Sequence, residues 1–396
     1  MLIAFAGPGL VKQVFADMQR KTNSAAKDSD QITLFLCGDV MTGRGIDQVL
    51  PHPGNPELYE PYIINALAYV ELAEALNGPI DKPVDFAYIW GDALRELSLL
   101  KPDVRIINLE TAVTKSDEYW RGKGINYRMH PNNVPCLTAA EIDCCVLANN
   151  HVLDWGYPGL TETLNTIQGL NIKTAGAGED SVEAEAPAVM EVKGKGRVIV
   201  YSFGHESSGV TADWGATKNR PGVNRLNDFS SDTIRQLARK TRKLKQQGDI
   251  VVISIHWGGN WGYSIPPEQS QFARRLIDEA DCDIIYCHSS HHPKGIEVYK
   301  HKPIFYGCGD FLNDYEGISG YEEYRDDLAL MYFVSMDAST GRLTRLHMIP
   351  TQTSRFRVNR ATTKDAKWLR DILNKEGKNL GTRVELNDDE TLALYW

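Results

Sequence analysis

Val251-Val252-Ile253-Ser254-Ile255-His256-Trp257-Gly258 is a β-branched run that stops on a histidine and then turns at a glycine. Runs of this kind read as strands buried on both faces, which places His256 at a strand's carboxyl end. Four more such runs occur. Ile32-Thr33-Leu34-Phe35-Leu36 leads to Asp39, and Val104-Arg105-Ile106-Ile107 leads to Glu110. Cys144-Cys145-Val146-Leu147-Ala148 leads to Asn149-Asn150-His151, and Asp283-Ile284-Ile285-Tyr286-Cys287 leads to His288 and His291. Open α/β sheets bind their ligands beyond the carboxyl ends of the strands. Five strands ending on metal-capable side chains predict an α/β fold with a metal centre built across a sheet edge.

The 396 residues suit one large α/β domain with insertions, or such a domain with a small appendage. No stretch approaches the run of about 18 apolar residues that a membrane helix needs. The net charge of −9 argues against nucleic acid as a partner. It would also repel an anionic substrate unless a local cation reversed the field. The seven cysteines lie mostly inside apolar runs and form no C-x-x-C pair. They read as buried free thiols in a reducing compartment, so a cytoplasmic setting is expected. Residues 1–11 lack the basic segment and cleavage motif of a signal peptide. Residues 1–30 read as a lead-in, partly disordered from 21 to 30.

Along the chain, helices are expected over 62–76, 90–100, 157–170, 231–246, 267–280 and 364–375. Strands are expected within 189–203, about the Lys193-Gly194-Lys195-Gly196 turn, and at 328–336, 342–350, 382–386 and 391–396. Residues 31–327 carry the site, and 328–396 form an α+β extension that either widens a sheet or caps the domain.

Asp39 and Glu110 offer hard oxygens, Asn150 a weaker one, and His256, His288 and His291 borderline nitrogens. This mixed set without thiolate suits one or two ions of Mn, Fe or Zn. His151 then stays free as a general acid or an oxyanion donor. Arg44 is a catalytic candidate that would grip a phosphate or carboxylate bidentately; its alternative is to pair with a surface acid. Asp154 either orients His151 or caps the helix at Tyr157, with the cap preferred. His292 is expected to point away from the centre, and Tyr127-Arg128-Met129-His130 to serve as scaffold. Trp257, Trp261 and Tyr263 crowd the His256 loop, as a pocket floor or simply as buried bulk. The segment 315–327 reads as a solvated loop that would otherwise close over the site.

The order Asp, acidic residue, Asn-His, His, His-x-x-His resembles the metallophosphoesterase (calcineurin-like) arrangement. More closely, the chain resembles the bacterial poly-γ-glutamate capsule-synthesis family of the CapA/PgsA type. The resembling blocks are Gly38-Asp39-Val40-Met41-x-Gly43-Arg44, Asn108-Leu109-Glu110-Thr111 and Ala148-Asn149-Asn150-His151-Val152-Leu153-Asp154-x-Gly156. They continue with His256-Trp257-Gly258, His288-x-x-His291 and Pro303-Ile304-Phe305-Tyr306-Gly307-x-Gly309-Asp310-Phe311. The resemblance implies a four-layer α/β/β/α sandwich and a metal-dependent hydrolase acting on a phosphoester or a γ-glutamyl/peptide amide bond. Its substrate would be a small molecule or a glutamate polymer. The alternative is a non-catalytic, metal-containing accessory protein that binds an acidic polymer or a synthetase partner. Three departures stand out. Met41 replaces the usual histidine of Asp-x-His, Asp310 replaces an asparagine, and the membrane anchor common in the family is not seen.

Overall fold

The computed structural model describes residues 31–396; the lead-in expected over 1–30 lies outside the described residues. All five runs are strands, shared between an 11-stranded and a 7-stranded mixed sheet. In the larger sheet, Gln31–Leu36 and Asp39–Val40 follow one path beside Val104–Leu109, which pairs with Cys144–Val146, and that with Lys173–Ala175. All these pairings are parallel. In the smaller sheet, Gly196–His205, Ile250–His256, Ile284–His288 and Lys302–Phe305 are likewise parallel neighbours. Parallel pairing sends the carboxyl ends of each group to one edge of its sheet.

Alternate residues of the strands enter different cores, as a period of two requires. Ile32, Leu34 and Leu36 join Val198, Val200, Val252 and Tyr286 of the smaller sheet in one cluster. Phe35 instead joins Tyr69, Val70, Leu160 and Leu164, which come from the helices Leu67–Asn77 and Gly156–Gln168. Ile199, Ile253 and Ile285 pack on Leu237, Phe272 and Leu276 of Ser231–Leu244 and Pro267–Glu279. Both faces of these strands are covered, which is why they read as continuous apolar runs rather than alternating ones. Each such side chain contributes roughly 1.5–3 kcal/mol on burial. The helix Ser231–Leu244 shows the local logic. Ser230 Oγ accepts from Thr233 N at 3.2 Å, and Ile234, Leu237, Ala238 and Thr241 bury one face at helical spacing.

The segment from 328 widens the larger sheet. Leu328–Asp337 pairs antiparallel with all of Gln31–Leu36, Arg342–Thr353 pairs next to it, and Leu392–Tyr395 follows. The helix Thr363–Gly377 adds Leu369 and Leu373 to the cluster between the sheets.

Two local expectations need correction. The helix expected over 62–76 begins only at Leu67, because Leu58 N donates to Ile64 O at 2.9 Å and Asn65 Oδ1 accepts from Leu67 N at 2.9 Å. A tight turn therefore occupies 58–65 and leaves Tyr62 exposed. A short helix, Arg44–Val49, stands where none was expected, and the Asp314 carboxylate fixes its start by accepting from Gly45 N at 2.9 Å. That contact crosses 269 positions, so no local pattern announces it.

Gly38 sits where two strands nearly touch. A Cβ there would lie 2.0 Å from Gly309 O, and Asp39 N donates to the same carbonyl at 2.8 Å. Only glycine allows that approach, which lays Asp39 opposite Asp310 in the sheet register.

Candidate metal centre

Two rungs, one from each sheet, build the centre. In the larger sheet Asp39 is level with Asn108 on one side and Asp310 on the other. In the smaller sheet His256 is level with His288. The rungs meet where His288 Nδ1 donates to Asp39 Oδ1 at 2.6 Å, with Ser289 N on Asp39 Oδ2 at 3.2 Å. Tyr286, two residues earlier, donates its hydroxyl to Cys37 O and pins the same strands together. Ser289 holds φ +93, a conformation rarely tolerated outside glycine.

Among the described residues, Asp39, Glu110 and His256 bring one ligand atom each within 4.8 Å of one another, and all three are buried. His256 Nε2 lies 3.5 Å from Glu110 Oε1. His256 Nε2, His288 Nε2 and Asn150 Oδ1 are buried polar atoms with no hydrogen-bond partner among the described residues. Such atoms are rare in folded proteins and costly unless something satisfies them. Burial raises the Glu110 carboxyl well above its ordinary range, and the neighbouring Asp39 and Asp310 raise it further. Burial alone would raise Asp39 too, but His288, His256 and Asn108 bring it down to about 2. Burial also pulls His256 down to about 3, leaving it neutral. A buried gathering of carboxyl groups and imidazole nitrogens is a donor set suited to a divalent cation.

Asn108 and Asn149 are scaffolding that the sequence reading did not single out. Asn108 Nδ2 donates to Asp39 Oδ1 at 2.8 Å, and Asn149 Nδ2 donates to Asn108 Oδ1 at 3.0 Å. Asn149 Oδ1 in turn accepts from the backbone of His151 and Val152, each at 3.0 Å. A relay of amides thus fixes the His151 turn against Asp39. A polar side chain at the end of an apolar strand was the available signal at Asn108.

His151 faces the centre, with Nε2 4.0 Å from Glu110 Oε1. Its Nδ1 is 2.7 Å from Asp154 Oδ2, a contact that fixes the ring. The expectation that Asp154 caps the helix is corrected here. Trp155 is the cap residue of Gly156–Gln168 and makes no side-chain cap bond. Asp154 is spent on His151, Lys123 and the backbone N of Tyr127. Burial lowers the His151 imidazole well below its usual range, helped by Lys123 and Arg44. Burial raises Asp154 to about 7 against the pull of Lys123. Lys123, with Nζ 2.9 Å from His151 Nδ1, is a neighbour no sequence pattern marked.

His291 belongs to a second grouping. Its Nδ1 is 2.9 Å from Asp310 Oδ2, and Asn313 Nδ2 donates to the same oxygen at 3.0 Å. Asp310, the departure at the Gly-Asp-Phe block, thereby acquires a partner. Met41 Sδ accepts from Gly43 N at 3.1 Å within its own turn. Arg44 is buried and committed. Its guanidinium is paired with Asp314 and Glu60, and it donates to Tyr69 Oη at 2.8 Å. The acids it pairs with are buried, not on the surface. His292 is fully buried against Tyr263 and Tyr324. Trp257 packs on Phe229 and Phe272, whereas Trp261 stacks on Tyr321 at 4.0 Å and lies 5.2 Å from the His291 ring.

Fold and site together define an α/β protein whose two sheets abut through a histidine–carboxylate cluster at their carboxyl edges. The chain belongs to the family described as bacterial capsule synthesis protein PGA_cap, which matches residues 33–315. It is 46% identical over 370 residues to a probable polyglutamine synthesis accessory protein of Mycobacterium tuberculosis, covering 93% of this chain and 97% of that one. It is 28% identical over 316 residues to the PGA biosynthesis protein CapA of Bacillus subtilis, covering 79% and 70%. The capsule biosynthesis protein CapA of Bacillus anthracis is 24% identical over 306 residues, covering 77% and 64%. No helix among the described residues is long and apolar enough to cross a membrane.

Proposed function

We propose that this protein is a metal-dependent hydrolase serving poly-γ-glutamate synthesis, cleaving a phosphoester or a γ-glutamyl amide bond. The observation that carries the reading is the gathering of Asp39, Glu110 and His256 within 4.8 Å, with His288 held against Asp39 and its Nε2 orphaned. A divalent ion held there would supply Lewis-acid polarisation of the scissile group and acidify water. Met41 is turned into its own loop and brings no imidazole, which supports one ion over two. Mn, Fe or Zn each suits the donors.

The chain's own residues do the rest. Asp154 holds His151 in one orientation, and the unprotonated imidazole takes the proton that the attacking water loses and passes it to the group that departs. Lys123 is a half-buried cation beside His151, paired with Asp154. With Arg44 engaged by Asp314 and Glu60, and Lys123 by Asp154, the ion is left to offset the chain's −9 charge toward an acidic substrate. The three-way division of the core supports the α/β/β/α layering, with residues 31–327 carrying the centre and 328–396 bracing it. Seven free, buried cysteines support a cytoplasmic setting. The substrate would be a small molecule or a glutamate polymer, with neither nucleic acid nor membrane as partner.

The non-catalytic reading, an accessory protein binding an acidic polymer or a synthetase, draws on Met41 and on the name of the Mycobacterium tuberculosis relative. Turnover separates the two. Protein reconstituted with Mn²⁺, Fe²⁺ or Zn²⁺ is expected to hydrolyse bis-(p-nitrophenyl) phosphate or γ-glutamyl p-nitroanilide, and to stop when chelator is added. Retained poly-γ-glutamate binding without turnover under any of the three ions would instead favour the accessory role.

A further inference from the structure

Two phenols meet between the two histidine groupings, and neither figures in the scheme above. Tyr127 stacks flat on His151, with centroids 3.8 Å apart and planes at 16°. Tyr315 stands edge-on to His291 at 5.4 Å. Their hydroxyl oxygens are 2.6 Å apart. That contact consumes one of the two hydroxyl protons, whichever oxygen donates. The other proton has no acceptor among the described residues. Tyr127 is 2% exposed, whereas Tyr315 is only half-buried, so the free proton can reach a bound molecule when Tyr127 donates to Tyr315.

The surroundings suit a donor. The Arg44 guanidinium lies 4.6 Å from the Tyr127 ring centroid and 5.6 Å from that of Tyr315. A fixed cation beside a phenol draws electron density from the O–H and strengthens its donation. Burial keeps both phenols protonated by pushing them well above their ordinary range. Tyr315 is also positioned. Its backbone N donates to Asn313 Oδ1 at 3.1 Å, and Asn313 reaches Asp310, the partner of His291.

We infer that Tyr315 donates a hydrogen bond to the oxygen that gains negative charge as the scissile bond breaks, and that Tyr127 is the positioning residue that orients it. The inference rests on the hydrolase reading and adds a catalytic residue to it. Fixed donors of this type contribute most when they are pre-aimed in a site that excludes water.

The test compares wild type, Tyr315→Phe and Tyr127→Phe as full chains loaded with the ion that supports turnover of bis-(p-nitrophenyl) phosphate. Tyr315→Phe is expected to lower kcat by about 10²-fold, the usual effect of losing one such donor. Its KM and its metal content per chain should stay those of wild type. Tyr127→Phe should show a smaller fall in kcat, also with full metal. Wild-type kcat in Tyr315→Phe overturns the inference and leaves the hydrolase reading standing. So does a rise in KM alone, or a loss of activity that tracks loss of metal. No turnover by wild type with any ion removes the hydrolase reading and this inference with it.

Discussion

Arg44→Ala is expected to destabilise the protein by about 3–5 kcal/mol, the range found when one partner of a buried ion pair is removed. The side chains of Arg44, Asp314 and Glu60 are 2%, 0% and 4% exposed. Alanine would leave two carboxylates and the Tyr69 hydroxyl facing each other without a cation. Asp314 also fixes the start of Arg44–Val49, so the loss reaches the turn that carries Met41. Arg44 itself sits at φ +45, and the cluster is what holds that strained backbone. Arg44→Lys should lose less, because it keeps the charge while giving up the fork. Urea unfolding monitored by tryptophan fluorescence measures both. A shift below about 1 kcal/mol for the alanine variant would place these pairs with weak surface bridges and contradict the packing described.

The second large effect is chemical. His151→Ala is expected to cut kcat by about 10²–10⁴-fold, the span typical of a general acid–base group. It should keep its metal, because His151 stands outside the group of Asp39, Glu110 and His256. Asp154→Asn should fall in the same direction, since an amide can present an N–H to Nδ1 and so misorient the ring. Steady-state kinetics with parallel metal analysis reads both variants. Activity unchanged in His151→Ala would assign the proton transfer elsewhere.

The strands and their endings were legible because β-branched runs carry their own signal, and a ligand-type residue at a strand's end is a local fact. Asp39, Glu110 and His256 converge, each from the end of one of these runs. Histidine roles were less legible. His288 braces Asp39 through Nδ1, and His291 pairs with Asp310 across 19 positions, which are matters of register between sheets. Arg44 illustrates the same limit, since Asp314 lies 270 positions away and no spacing rule links them. Lys123 and the Tyr127–Tyr315 pair come from loops, where composition says little about which side chain turns inward. The Asp154 correction has a similar origin. A helix-start position and a histidine three residues earlier compete for one carboxylate, and the histidine wins because both are buried.

The most direct measurement is the metal content of purified full-length protein, by elemental analysis after reconstitution with Mn²⁺, Fe²⁺ and Zn²⁺ separately and removal of free ion. The expected result is about one tightly held ion per wild-type chain and near-complete loss in Asp39→Ala and in His256→Ala, each still folded by circular dichroism. Wild-type protein that retains none of the three ions would contradict it, as would alanine variants that hold as much metal as wild type.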